Sequence, residues 1–276
     1  MKQITKIFAL LLAVSMLLCG CVDAKETAEK KTEQSAQKPE ESAQPVGATT
    51  EEELTAALEN GGRVAIGADL TLTKEVLVKD KILEGGGFTL TGPERQENVV
   101  ETENGITVAG GTVENVTIMG KYRAIGDRKG MGANSDVRLK NVTVDGGDAY
   151  ALNFGYGSGQ ASLFVDDSTL LGWSSYTKFQ QAVFTNCTFG WSADGAQGAL
   201  RPYIDTTLVG CKFVGKTEAD GTVTPFGINF KNGSDGIKLT LEDCYVGDTL
   251  VTQENLNELL KVNLQGNLIV VRNTHA

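Results

Sequence analysis

Few residues in this chain have the type and spacing that chemistry needs. The single histidine, His275, stands one residue from the end in a polar tail, so imidazole base catalysis is not expected and no metal centre is assigned. Asp166 and Asp167 form an adjacent carboxylate pair. Such a pair can do acid–base work, or Asp167 can be a turn residue, because other segments carry Asn at its position. Gly-Trp-Ser occurs at 172–174 and again at 190–192, placing Trp173 and Trp191 eighteen residues apart. If that interval is one structural repeat the two indoles stack, with Tyr150, Tyr156, Tyr176 and Tyr203 near in register. Aromatic faces of that kind suit sugar rings, and they equally suit corner packing. Lys121, Arg123, Arg128, Lys129, Arg138 and Lys140 crowd one stretch against only Asp127 and Asp136. That cluster reads either as a polyanion site, Lys121 and Arg123 first, or as ordinary solvated strand faces. No Gly-x-x-x-x-Gly-Lys-Ser/Thr pattern accompanies the glycines at 130, 132, 155, 157 and 159, so no nucleotide site is expected.

The ends carry an address. Lys2 and Lys6 precede an apolar run from Ile7 to Leu18 that is too short to span a bilayer, which needs roughly 20 residues. The run closes as Leu18-Cys19-Gly20-Cys21, which resembles the bacterial lipobox. The resemblance implies that residues 1–20 are a signal peptide and that Cys21 becomes the lipidated first residue. The protein would then be exported and anchored through that lipid to the outer face of the cytoplasmic membrane or the cell surface. From Val22 to Thr50 there is no aromatic residue, and Pro39 and Pro45 interrupt a polar, charged stretch. Residues 21–49 are therefore expected to be a disordered tether with a reach of about 30 Å. The formal net charge of −10 falls to −12 when Lys2 and Lys6 leave with the signal, which argues against nucleic acid as a partner.

Within the domain expected at 50–276 one phrase recurs six times. TVENVTIMG, VRLKNVTVDG, FVDDSTLLG, VFTNCTFGW, TLVGCKFVG and TLEDCYVGD align on Asn115, Asn141, Asp167, Asn186, Gly210 and Asp243. A recurrence at this interval marks a repeat architecture. Period-two alternation sends Val116, Val142, Ser168, Cys187, Cys211 and Cys244 inward, followed two places on by Ile118, Val144, Leu170, Phe189, Phe213 and Val246. Thr117, Thr143, Thr169, Thr188, Lys212 and Tyr245 point out. The aligned Asn, Asp and Gly tolerate a left-handed bend. Each phrase predicts two strands around a sharp corner, and a third strand per turn is predicted at 122–126, 150–154, 176–180, 200–204 and 226–231. The cysteines are then rungs of one ladder, packing as free thiols, with an inter-coil disulfide or a metal site as the alternatives.

This pattern resembles the pectate-lyase-like superfamily of right-handed parallel β-helices. The opening strengthens the likeness: Thr50 caps a short helix with Leu54, Ala57 and Leu58 on one face, and Gly85-Gly86-Gly87 follows as a turn. The resemblance implies an all-β solenoid of three strands per coil with an N-terminal capping helix. A short C-terminal helix is expected within Thr252–Val262, and a last strand at Leu268–Val271. For a lyase of that superfamily it would imply Ca²⁺ on clustered carboxylates, drawn from Asp145, Asp148, Asp166, Asp194 and Asp205, beside a basic residue. Arg201 with Asp205, or Lys178, are the candidates. The hydrolase branch uses three Asp near Gly-His-Gly, and that triplet is missing here. The expected function is non-catalytic: a lipid-anchored face for glycans or a partner protein, with no cofactor. A polysaccharide lyase acting on an acidic polymer, or less so a glycoside hydrolase, is the alternative.

Overall fold

The computed structural model describes residues 47–95, 104–193, 198–231 and 236–274. The signal expected at 1–20, Cys21 and the tether expected at 21–49 up to residue 46, together with Asp194 and His275, lie outside the described residues; of the tether's last residues, Ala48 is buried and bridges Ile66.

The chain is all-β and its sheets are long and parallel. A nine-stranded sheet stacks Arg63–Ala65, Lys81–Glu84, Gly111–Glu114, Val137–Lys140, Ser162–Asp166, Gln181–Thr185, Thr206–Val209, Lys238–Glu242 and Leu268–Arg272 in that order. A second path runs through Leu70–Thr71, Thr89–Thr91, Thr117–Met119, the starts of Thr143–Phe154 and Thr169–Tyr176, Thr188–Gly190, Lys212–Phe213 and Tyr245–Val246. A further parallel path joins Val76–Val78, Ile106–Val108, Arg123–Gly126, the ends of the two long strands, Ala199–Pro202, Gly227–Asn229 and Lys261–Asn263. Parallel neighbours are never consecutive in sequence, so the chain travels away and returns one level up each time. That is consistent with a β-helix or solenoid.

The repeated corner shows why the chain turns where it does. Asn115, Asn141, Asp167, Asn186, Gly210 and Asp243 all have φ between 49° and 62°. Asn and Asp visit that left-handed region at modest cost because their side chains bond locally. Here those side chains instead donate to the level before. Asn141 Nδ2 donates to Asn115 Oδ1 at 2.8 Å, Asn186 Nδ2 to Asp167 Oδ1 at 3.2 Å, and Asn115 Nδ2 to Glu84 Oε1 at 3.0 Å. The corner backbone is equally tied: Asn115 N–H donates to Lys140 O at 3.1 Å, Asn141 to Asp166 O at 3.0 Å, and Asn186 to Val209 O at 2.8 Å. Each of these bends is thus tied to the level before it by its side chain and to the level after it by its backbone N–H.

Inside, both expected ranks are buried. Val116, Val142, Ser168 and the three cysteines lie in the core, as do Ile118, Val144, Leu170, Phe189 and Phe213; Val246 packs against it at the rim. Ser168 fits an apolar column because its Oγ donates to Asp166 O at 2.6 Å and accepts Val142 N–H at 3.1 Å. Aromatic rings then pack along the interior, Phe184 to Phe189 at 5.3 Å, Phe189 to Phe213 at 5.7 Å and Phe213 to Phe226 at 5.6 Å between centroids. The cysteines are free thiols.

Both ends are covered. Helix Glu51–Asn60 buries Leu54 and Leu58, and Thr50 Oγ1 accepts Glu53 N–H at 3.2 Å as its cap. At the far end the short helix expected within Thr252–Val262 is one turn, Leu256–Leu259, and Lys261–Asn263 leave it to pair with Gly227–Asn229. The third segment expected at 176–180 is also displaced. The strand runs Thr169–Tyr176, turning within itself at Gly172 (φ 115°), so Trp173–Tyr176 do the pairing.

A polar clasp ties four levels together on one side. Glu75 Oε2 accepts Asn104 N–H at 3.1 Å and its Oε1 meets Arg128 Nε at 2.8 Å. Asp127, 1% exposed, accepts Gly155 N–H at 2.6 Å and Tyr156 N–H at 3.0 Å. Burial raises the Asp127 pKa despite these donors. A raised folded-state value means the native chain binds the proton more tightly than the unfolded one. Its contribution to stability is complete below the ordinary aspartate pKa and is lost as pH rises through the raised value.

Two outcomes follow for stability. Asn141→Val puts a β-branched residue in the left-handed region and removes a rung, costing roughly 2 kcal/mol, whereas Asn141→Gly costs about half as much; urea unfolding measures both, and equal losses would discard the backbone argument. Urea midpoints across the acid range contain a component that declines with rising pH, and Asp127→Asn flattens it. An unchanged profile in that variant would assign the slope to another group.

Candidate functional site

Outward residues of the third path form a strip of aromatic rings and cations. Tyr150 pairs in register with Arg123 below and Trp173 above, and Ser175, two residues past Trp173, pairs with Arg201. Tyr122 meets Tyr150 edge-on at 6.2 Å, and Tyr150 meets Trp173 edge-on at 5.2 Å. Guanidinium groups lie over the same rings: Arg95 at 4.3 Å from the Tyr122 centroid, Arg123 at 5.8 Å from Tyr150, and Arg201 at 3.8 Å from Trp173. Lys231 extends the pattern over Tyr203 at 5.8 Å. The strip follows from strand phase: in Trp173–Tyr176 burial alternates, so Trp173 and Ser175 face out while Ser174 and Tyr176 face in.

Tyr150 sits at its centre. Burial raises its phenol pKa, against the Arg201 and Arg123 charges that favour phenolate, with Tyr122 and Tyr203 close enough to add to the rise. The phenol therefore stays a neutral donor, with Arg123 over its ring and Arg201 over the neighbouring Trp173. That arrangement can hold an oxyanion or a hydroxyl-rich polymer. It offers less bare ring face than an open stacking platform, because Arg201 occupies one face of Trp173.

The residues expected from the sequence are distributed as follows. Tyr150, Trp173 and Arg123 belong to the strip. Lys121 is at its edge, paired with Glu94 at 3.1 Å. Tyr176 does not belong: it is fully buried, and its hydroxyl donates to Thr206 Oγ1 at 3.1 Å, with burial raising its pKa. Trp191 does not stack over Trp173. Its neighbour Gly190 pairs with Leu171, whereas Trp173 pairs with Ala199, and Trp191 lies under Lys216 at 5.7 Å. The basic stretch divides among sides: Arg123 in the strip, Arg128 in the clasp, and Arg138 on the nine-stranded sheet against Phe164 at 4.3 Å.

Arg201 and Asp205 turn opposite ways. Arg201 reaches back to Trp173, and Asp205 Oδ1 accepts Lys238 N–H of the following level at 2.9 Å. Lys178 is an exposed corner residue with φ 60°, its carbonyl accepting Gly159 N–H. Asp145 is held by Gly147 N–H at 2.9 Å and Ala193 N–H at 3.1 Å, and Asp167 is a corner anchor. Among the described residues no three His, Cys, Asp or Glu side chains converge on a point where a metal ion could sit. Among them, too, no helix is long and apolar enough to cross a membrane.

Arg95 and Tyr122 were missed as strip members. Arg95 is distant in sequence from its ring partner, and Tyr122 gives no signal of its own beyond the adjacent Arg123. No family model matches the chain, and none of the curated proteins or solved structures compared with it matches either.

The ring–cation geometry has a direct readout. Arg201→Met lowers stability by about 0.5–1 kcal/mol and shifts Trp173 emission, read in a Trp191→Phe background. Unchanged emission would place the guanidinium elsewhere.

Proposed function

We propose that this is a lipid-anchored extracytoplasmic protein whose solenoid presents a binding face for glycan or a partner protein, without catalysis. On this reading residues 1–20 are a signal peptide, Cys21 carries the lipid, and residues up to 49 tether a domain spanning 50–276. The domain is a right-handed β-helix with three strands per coil, of the pectate-lyase-like kind. The further parallel path of strands supports the third strand, and the covering helix at Glu51–Asn60 supports the likeness. No cofactor belongs to this function.

One observation carries the binding reading: rings and cations from separate levels align along one side, from Tyr122 and Arg123 through Tyr150 and Trp173 to Arg201. A strip that crosses levels spaced about 4.8 Å apart suits an extended ligand better than a compact one. The second reading, a polysaccharide lyase on an acidic polymer, is favoured by the Arg123 guanidinium 5.8 Å from the Tyr150 ring centre, with the Arg201 charge over neighbouring Trp173. Under it, Ca²⁺ would need ligands beyond any cluster among the described residues.

The full chain is tested against neutral and acidic polysaccharides in affinity gels, with and without Ca²⁺, while unsaturated ends are assayed. Retention without product, weakened at least about tenfold when Trp173→Ala and Arg201→Ala are combined, is the expected result. Calcium-dependent unsaturated product would overturn the non-catalytic reading. Retention untouched by the double substitution would move the site off the strip.

A further inference from the structure

Three cysteines occupy one column of the interior, and neither the corner geometry nor the strip uses their sulfur chemistry. Thr188, Lys212 and Tyr245 pair in register, so the residues just before them, Cys187, Cys211 and Cys244, follow one another on three successive levels. The backbone ties them directly: Lys212 N–H donates to Cys187 O, and Tyr245 N–H to Cys211 O, both at 2.8 Å. All three are free and fully buried. Each thiol donates to a carbonyl of the level before it, Cys187 to Val165 at 3.3 Å, Cys211 to Phe184 at 3.4 Å and Cys244 to Leu208 at 3.5 Å. The thiols therefore point the same way along the column, with Cys211 on the level between the other two.

Adjacent levels are separated by about 4.8 Å, inside the range of Cα spacings that a disulfide spans. Cys187 and Cys244 are two levels apart, about 9.6 Å, which is outside it. We propose that Cys211 is an inter-coil oxidation site that exchanges with a low-molecular-weight disulfide and closes a bond to Cys187 or to Cys244, never to both. A Cys211 thiolate attacks one sulfur of the small disulfide, forming a mixed disulfide and releasing one small thiol. The neighbouring cysteine then attacks Cys211 Sγ, and the second small thiol leaves. Two protein thiols are oxidised, one small disulfide is reduced to two thiols, and the protons pass to the leaving thiolates.

Burial sets the pace. The neighbouring thiols and the apolar surroundings push the Cys211 thiol pKa up, so attack waits on a local opening of the corner. The bond would fasten the level that carries Arg201 to the next, or the next to the one after, and always leaves one thiol over. The column is thus a staple with two alternative positions.

The full chain is incubated folded with oxidised glutathione, and thiols are then counted and cross-linked peptides mapped, which keeps Cys19 and Cys21 apart. Expected are Cys187–Cys211 and Cys211–Cys244 peptides, reversal by dithiothreitol, and a raised urea midpoint. Cys187→Ser sends all cross-linking to Cys211–Cys244, and Cys211→Ser abolishes it. Circular dichroism checks that both variants keep the β fold. Three intact thiols under conditions that oxidise the urea-unfolded chain would overturn the proposal. So would a Cys187–Cys244 bond, or cross-linking of the column that survives Cys211→Ser.

Discussion

Everything in this structure depends on one corner being affordable. Six residues sit with φ near 50–60°, a region that ordinary L side chains avoid, and five of the six are Asn or Asp. Their backbone N–H groups reach the carbonyl of the following level, and four of their side chains link with one another or with Glu84. A bend that would be strained in isolation becomes a lattice point when copies stack. Neighbouring bends therefore support one another, and the strands on either side inherit their register from them. Because contacts run chiefly between adjacent levels, the ends need covers. The helix at Glu51–Asn60 supplies one, and the segment from Val251 to Leu260 buries Val251, Leu256 and Leu260 at the other.

The fold was legible in the sequence to the extent that one residue alone reports its position. An Asn before a small apolar residue, then Thr, then a large apolar residue, states the bend and both faces at once. Ser168 and the cysteines could be placed inward because the period is two and the anchor fixes its phase. The third segment was harder. Gly172 lets Thr169–Tyr176 turn without ending, which shifts the pairing three residues ahead of the predicted start and leaves Tyr176 inside rather than out. Helical spacing in Thr252–Val262 lost to the sheet, whose open edge offered Lys261–Asn263 a partner. Local pattern cannot weigh that competition.

The strip was legible only in pieces. Tyr150, Trp173 and Arg123 could be named, but their meeting depends on how many residues each level spends between strands. That number changes from one level to the next, so an interval of eighteen residues put Trp191 at a corner rather than over Trp173. The cations matter as much as the rings. In a chain with net charge −10, four basic groups lie over rings on one side. A planar guanidinium resting on a ring face still has donors along its edges, which is how such a surface combines apolar area with hydrogen bonding.

Gly85–Phe88 places four residues where the next level uses only Asn115 and Val116, yet Glu84 still pairs with Glu114 and Thr89 with Thr117. Between the second and further paths the excursion grows from Gly172 alone to the stretch between Phe213 and Gly227, which holds its own small hairpin. Corner length is thus uncoupled from stacking. The scaffold behaves as a rack with interchangeable fittings: new peptide can be spliced at these bends to raise or reshape one wall, while the shelves beneath keep their alignment.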